Sequence, residues 1–175
     1  MSPLTADPLL GVARAVLYFI MAVIGIAVVV LAIAVPGVAI FSSHVTAQLI
    51  AHGAPKSALW LILVLLAAGA GILCLAFAFF LYLKRIVDTV GEGDPFIPDN
   101  AGRLARMGWI ALAIQGLEIP MSVLAAILRT QLPEDATHVD IDFFLNGIVL
   151  ALVLFVLARV FRKGTEMRAD LEGTV

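Results

Sequence analysis

Polar residues interrupt this chain so rarely that four apolar runs stand out, at 12–41, 57–83, 107–128 and 143–161. Each is comparable to the ~20 apolar residues with which a helix crosses a ~30 Å hydrocarbon core. Lipid offers no hydrogen-bond partners, and a helix satisfies its backbone within one segment. The pattern predicts an all-α, polytopic membrane protein with four transmembrane helices in a bundle, over 12–41, 57–83, 102–128 and 141–161. A connection at 84–101 and a tail at 162–175 complete a single membrane domain.

Charge adds an orientation. Arg14, Lys84, Arg85, Arg103, Arg106, Arg159, Arg162, Lys163 and Arg168 flank one set of run ends, leaving only Lys56 and Arg129 for the other. Positive residues favour the cytoplasmic side. Both termini and the middle connection are therefore expected in the cytosol. Connections 42–56 and 129–142 then face outward, the second acidic through Glu134, Asp135, Asp140 and Asp142. A composition of 62% hydrophobic and 14% charged residues disfavours a soluble domain, for which about 45–50% and about 25% are usual. Ala32-Ile33-Ala34 has the form of a signal cleavage site, but the run exceeds a signal core of about 7–15 residues. An uncleaved first span is expected.

Several residues shape the runs locally. Pro36-Gly37 and Pro120 should bend their helices. Gly69 and Gly71, among Ala67, Ala68 and Ala70, suggest close helix packing. Pro98-Asp99-Asn100 is a helix-start signal, with Asp99 or Asn100 accepting from first-turn amides. Tyr18, Phe19, Tyr82 and Trp109 suit interfacial depth. Met167 and Leu171 lie four apart in the tail and allow one apolar face on the membrane surface.

Candidate chemistry is sparse. Glu118 falls near the middle of the third span, one turn after Gln115 and two residues before Pro120. An acid there must face other helices, a hydrated crevice or an oligomeric interface. It serves either an interhelical hydrogen bond or a proton or cation path. Histidines 44, 52 and 138 all fall in outward connections, without a credible nucleophile or a metal-ligand set. Cys74 reads as a small packed residue. Neither an enzyme, a metal nor a cofactor is expected.

The middle connection is the more distinctive segment, with two glycines, two prolines and an apolar Phe96-Ile97 pair. Phe96 either dips back into the membrane interface or anchors a docking partner. Gly93-Asp94-Pro95-Phe96, followed by Asn100 and Leu104, resembles the signature of a bacterial four-span family, domain-of-unknown-function family 2975. The tail, with Phe161, Gly164, Glu166, Asp170, Leu171 and Thr174-Val175, is similar to that family's closing pattern. The resemblance implies a partner, since such proteins are commonly encoded beside a small helix-turn-helix regulator. It implies a bacterial inner membrane as the location, and no catalytic residues.

The expected function is therefore a non-enzymatic membrane partner that sequesters such a regulator, without binding nucleic acid itself. The candidate face comprises Asp94, Pro95, Phe96, Asn100, Arg103, Arg106, Arg162, Glu166 and Asp170. A small transporter or channel subunit using Glu118, and a structural subunit of a larger complex, are the alternatives. Homo-oligomerisation stays open.

Overall fold

The computed structural model describes residues 8–131 and 144–172. The acidic residues 134, 135, 140 and 142, His138, the Leu171 side chain and Thr174-Val175 lie outside what is described. Every regular element within the described residues is a helix: α1 Pro8–Ile40, α2 Ser42–Ala51, α3 Ala58–Gly91, α4 Pro98–Gln131 and α5 Phe144–Glu172. Helices α1, α3 and α4 are each long and apolar enough to cross a membrane. The described apolar stretch of α5 is cut by Arg159 and ends at Arg162 and Lys163, so among the described residues three helices, against the four expected, have the length and composition of a span.

The helices outrun the apolar segments. Backbone hydrogen bonding continues after an apolar run ends, so a helix stops where its chain supplies a cap. Helix α3 passes through Lys84 and Arg85 until Gly93, at φ 88°, closes it. The Gly93 amide donates to Val90 O and the Asp94 amide to Thr89 O, each at 3.1 Å. This reciprocal pair satisfies the last carbonyls, and its left-handed position suits glycine. Gly53, at φ 81°, closes α2 by the same pattern, with the Ala54 amide donating to Leu49 O at 2.9 Å.

Three boundaries change as a result. The expected connection at 42–56 is mostly helix, because the ladder passes the α1–α2 junction through the Phe41 amide on Gly37 O at 3.0 Å. The expected connection at 84–101 shrinks to 92–97, with Pro98 opening α4 where its missing N–H costs nothing. The expected tail at 162–175 is, as far as Glu172, a continuation of α5. Pro36 and Pro120 both sit inside uninterrupted helices.

The four long helices form an open row in the order α1, α3, α4, α5. Among the described residues, no other pairing of these four brings Cα atoms within 8 Å, so the helices pack side by side without closing on themselves. The tightest seam joins α4 to α5. Its α4 face is Ala101, Leu104, Gly108, Ala111 and Gln115, and its α5 face is Gly147, Ala151, Leu154 and Ala158. Both repeat every three or four residues, the spacing of left-handed helix pairs. Ring atoms of Phe155 lie 2.9 Å from where a Cβ on Gly108 would stand. The small-residue packing expected at Gly69 and Gly71 is absent, as nothing lies within 4 Å of a Cβ at either position. Helix α1 is the least embraced, with Leu17 its one buried residue.

Ile86, Leu104, Met107, Leu154 and Ala158 form the apolar core at the end of the row nearest the 92–97 loop. Large apolar side chains elsewhere, such as Phe19, Ile33 and Leu152, are more than 60% exposed. Overfilling the seam should cost about 1–3 kcal/mol. Ala151→Leu, at a position 1% exposed, is expected to lower the thermal unfolding temperature in detergent, whereas Gly71→Ala leaves it unchanged.

Candidate functional site

The 92–97 loop and the last three turns of α5 make one joint. Its centre is Asn100, fully buried in the first turn of α4. Its side-chain amide donates to Thr89 Oγ1 at 2.8 Å and to Pro95 O at 2.9 Å. Its Oδ1 accepts from Arg103 Nη1 at 2.8 Å. Asn100 is thus not the helix cap expected from sequence: its amide ties the end of α3 to the loop. Asp99 alone meets the positive helix end, in the first turn of α4. Arg103 also reaches Arg85 O at 3.4 Å and Asp99 at 3.5 Å.

Helix α5 closes the joint from the other side. The Phe96 ring packs on Phe161 with centroids 5.3 Å apart. It lies over Gly164, where a Cβ would approach its ring to 2.8 Å. Thr165 Oγ1 donates to Phe96 O at 3.2 Å and Phe161 O at 2.9 Å. Asp94 and Arg168 form an ion pair across the same gap. The two segments that carry the family resemblance, some seventy residues apart, are therefore one contact surface.

Polar contacts tie α1 to the same end. Arg14 Nε pairs with Asp88 at 3.3 Å, and Lys84 with the same carboxylate at 2.9 Å. Lys84 also sits 5.2 Å above the Tyr18 ring, and Gly91 leaves room for the Arg14 guanidinium. Arg106 lies 5.7 Å from the Tyr82 ring. The basic residues 14, 84, 85, 103, 106 and 168 thus gather at one end of the row, an arrangement the charge pattern implied.

The candidate residues divide into two sets. Asp94, Pro95, Asn100 and Arg103 are engaged inside the joint, and Phe96, 41% exposed, is partly so. Arg106, Arg162, Glu166 and Asp170 are exposed beside it, with Glu166 paired to Lys163 at 3.2 Å. Thr89 and Thr165 carry no signal in the sequence, and Gly164 figures there only in the closing pattern, because their role is set by what packs opposite them. A small residue three after Phe161, where α5 meets an apolar loop, was the available signal.

Gln115, Glu118 and Pro120 lie far along α4 from the joint. Gln115, 5% exposed, donates to Glu118 Oε2 at 3.0 Å. Both line a cavity of about 300 Å³ with Phe79, Phe80, Asn146 and Gly147. The expected interhelical hydrogen bond is replaced by a bond within α4, since α5 presents Gly147 to Gln115. Among the described residues no three His, Cys, Asp or Glu side chains come together as a metal set.

These features define a class: an all-helical chain whose apolar helices are those of a membrane protein. Within it, the chain belongs to the family described as Protein of unknown function (DUF2975), whose model matches residues 44–175. That match covers α3, α4, α5 and both halves of the joint. No curated protein and no solved structure matches the chain.

The joint should depend on its buried amide more than on its ion pair. Asn100→Ala leaves buried partners unmatched at a cost of about 1–3 kcal/mol. Loss of the half-exposed Asp94–Arg168 pair costs about 0–1 kcal/mol. Limited proteolysis of the 92–97 loop is expected to accelerate in Asn100→Ala and to change little in Arg168→Ala.

Proposed function

We propose that the chain is a non-enzymatic membrane protein that crosses the bilayer four times, through α1, α3, α4 and the apolar part of α5. The joint and both termini then lie in the cytosol, and the joint holds a small helix-turn-helix regulator away from its operator. The observation that carries this reading is the convergence of both family motifs on one surface at the basic end of the row. The charge asymmetry supports the orientation. The family's association with such regulators supports the partner.

The two sets of residues suggest a division of labour. Asp94, Pro95, Asn100 and Arg103 fix the platform, while the exposed edge of Phe96 and the side chains of Arg106, Arg162, Glu166 and Asp170 meet the partner. Regulators of this kind present a basic DNA-reading surface, for which Glu166 and Asp170 offer counter-charges. Release requires a signal that binds two states of the helix row with different affinity.

Co-expression of the full chain with the regulator encoded beside it tests this. The regulator is expected in the membrane fraction, and in the soluble fraction when residues 165–175 are deleted or when Phe96→Ala is combined with Glu166→Lys. A regulator distribution indifferent to the presence of the chain overturns the reading. Under the same reading, maleimide labels Glu166→Cys, in a Cys74→Ser background, only after the membrane is permeabilised.

A second reading rests on the cavity that holds Gln115 and Glu118. If it lies on a proton or cation path, Glu118→Gln abolishes a gradient-driven flux in proteoliposomes while helix content is kept. Absence of flux in the wild-type protein removes that reading.

A further inference from the structure

Beside the joint, a groove of about 490 Å³ runs between the charged ends of α4 and α5. Its floor is apolar, formed by Ala105, Phe155 and Ala158, and its rim carries Arg159, Arg162 and Lys163. One carboxylate, Glu166, stands at its far end and pairs with Lys163 at 3.2 Å. Neither Arg159 nor Arg162 has an ion-pair partner among the described residues, and both are exposed. Trp109, 66% exposed, meets Phe155 edge-on at 5.4 Å between centroids. It lies on the Ala105 face of α4, one turn further along. Of α4 only Ala105 lines this groove; the continuing hollow, of about 440 Å³, is walled by Pro98, Ala101 and Gly102 and shares Arg162 and Glu166.

A polar sequence of this kind suits one ligand. Tryptophan marks headgroup depth at a membrane. Guanidinium groups grip phosphate through two parallel hydrogen bonds, which ammonium groups do not. Basic pockets between membrane helices on the cytoplasmic side hold anionic headgroups. Two unpaired guanidiniums above an apolar floor, one to two turns beyond an interfacial tryptophan, fit a phosphate whose attached chains continue along hydrocarbon. An acidic peptide would meet the cations but would not use the floor that leads to Trp109.

We propose that this groove binds the phosphate of an anionic phospholipid, with Arg159 and Arg162 as its ligands and the acyl chains lying along Phe155 and Trp109. The proposal needs α4 to cross the bilayer and is independent of any regulator. Native mass spectrometry of the full chain, purified in detergent with equal phosphatidylglycerol and phosphatidylcholine, tests it. The wild-type protein is expected to retain phosphatidylglycerol preferentially. Arg159→Gln with Arg162→Gln should reduce that preference about thirtyfold, and Arg85→Gln should not. Ala105→Leu, which fills the groove without touching charge, should reduce it as well, so the result does not hang on one variant. Circular dichroism checks that each variant keeps its helix content. Equal retention of the two lipids by the wild-type protein overturns the proposal, as does a double variant that is folded and unchanged. Displacement of the lipid by millimolar inorganic phosphate would assign the site to free phosphate and overturn it too.

Discussion

In hydrocarbon, an apolar side chain gains little by leaving lipid for another apolar side chain, so helices are held by how closely they approach. The α4–α5 seam meets that constraint with Ala101, Gly108, Ala111, Gly147, Ala151 and Ala158, whose small side chains let the backbones close up. The contacts of α5 with the loop follow from this approach. Without it α5 would not run alongside the start of α4, and Gly164 and Thr165 would not meet Phe96. Helix α1 lacks such a seam. It is tied to α3 by Arg14, Tyr18, Lys84 and Asp88 instead, at the end where the polar groups cluster.

The joint shows what makes a short loop rigid. Six residues between two helices carry several carbonyls that water would otherwise solvate. Asn100 takes Pro95 O, Thr165 takes Phe96 O, and the glycine cap takes the last carbonyls of α3. A buried amide with all its partners present favours one loop conformation, since every alternative strands at least one polar group. The ion pair between Asp94 and Arg168 is half exposed and adds direction more than stability.

The class of the fold was legible in the sequence because lipid imposes it: apolar length and charge at the run ends identified α1, α3 and α4 and the end where basic residues collect. The helix ends were not, because apolar length reports the bilayer while caps such as Gly93 report the backbone. The partners of the small residues escaped for a related reason. Gly69-Ala70-Gly71 and Gly108 look alike in one dimension, yet only Gly108 faces a neighbour. Asn100 was noticed as a cap alternative to Asp99, as a signature residue and as part of the candidate face, but not as the tie between α3 and the loop. Its true partners, Thr89 and Pro95, become visible only when the chain has turned back on itself. The groove beside Arg159 and Arg162 was similarly hidden, because its other wall consists of alanines and a glycine that carry no chemical label.

Helix α5 carries a mechanical consequence. Its 29 residues run without a break from the far side of the row to the joint, a rod of about 43 Å at 1.5 Å per residue. A swing of roughly 10° about its outer end would carry its inner tip about 7 Å, on the same helical rise. Gly164 and Arg168, nearer the pivot, would move about 5–6 Å, enough to lift Gly164 off the Phe96 ring and part Arg168 from Asp94. Because no break separates the joint from the α4–α5 seam, parting that latch means tilting the whole of α5 against α4.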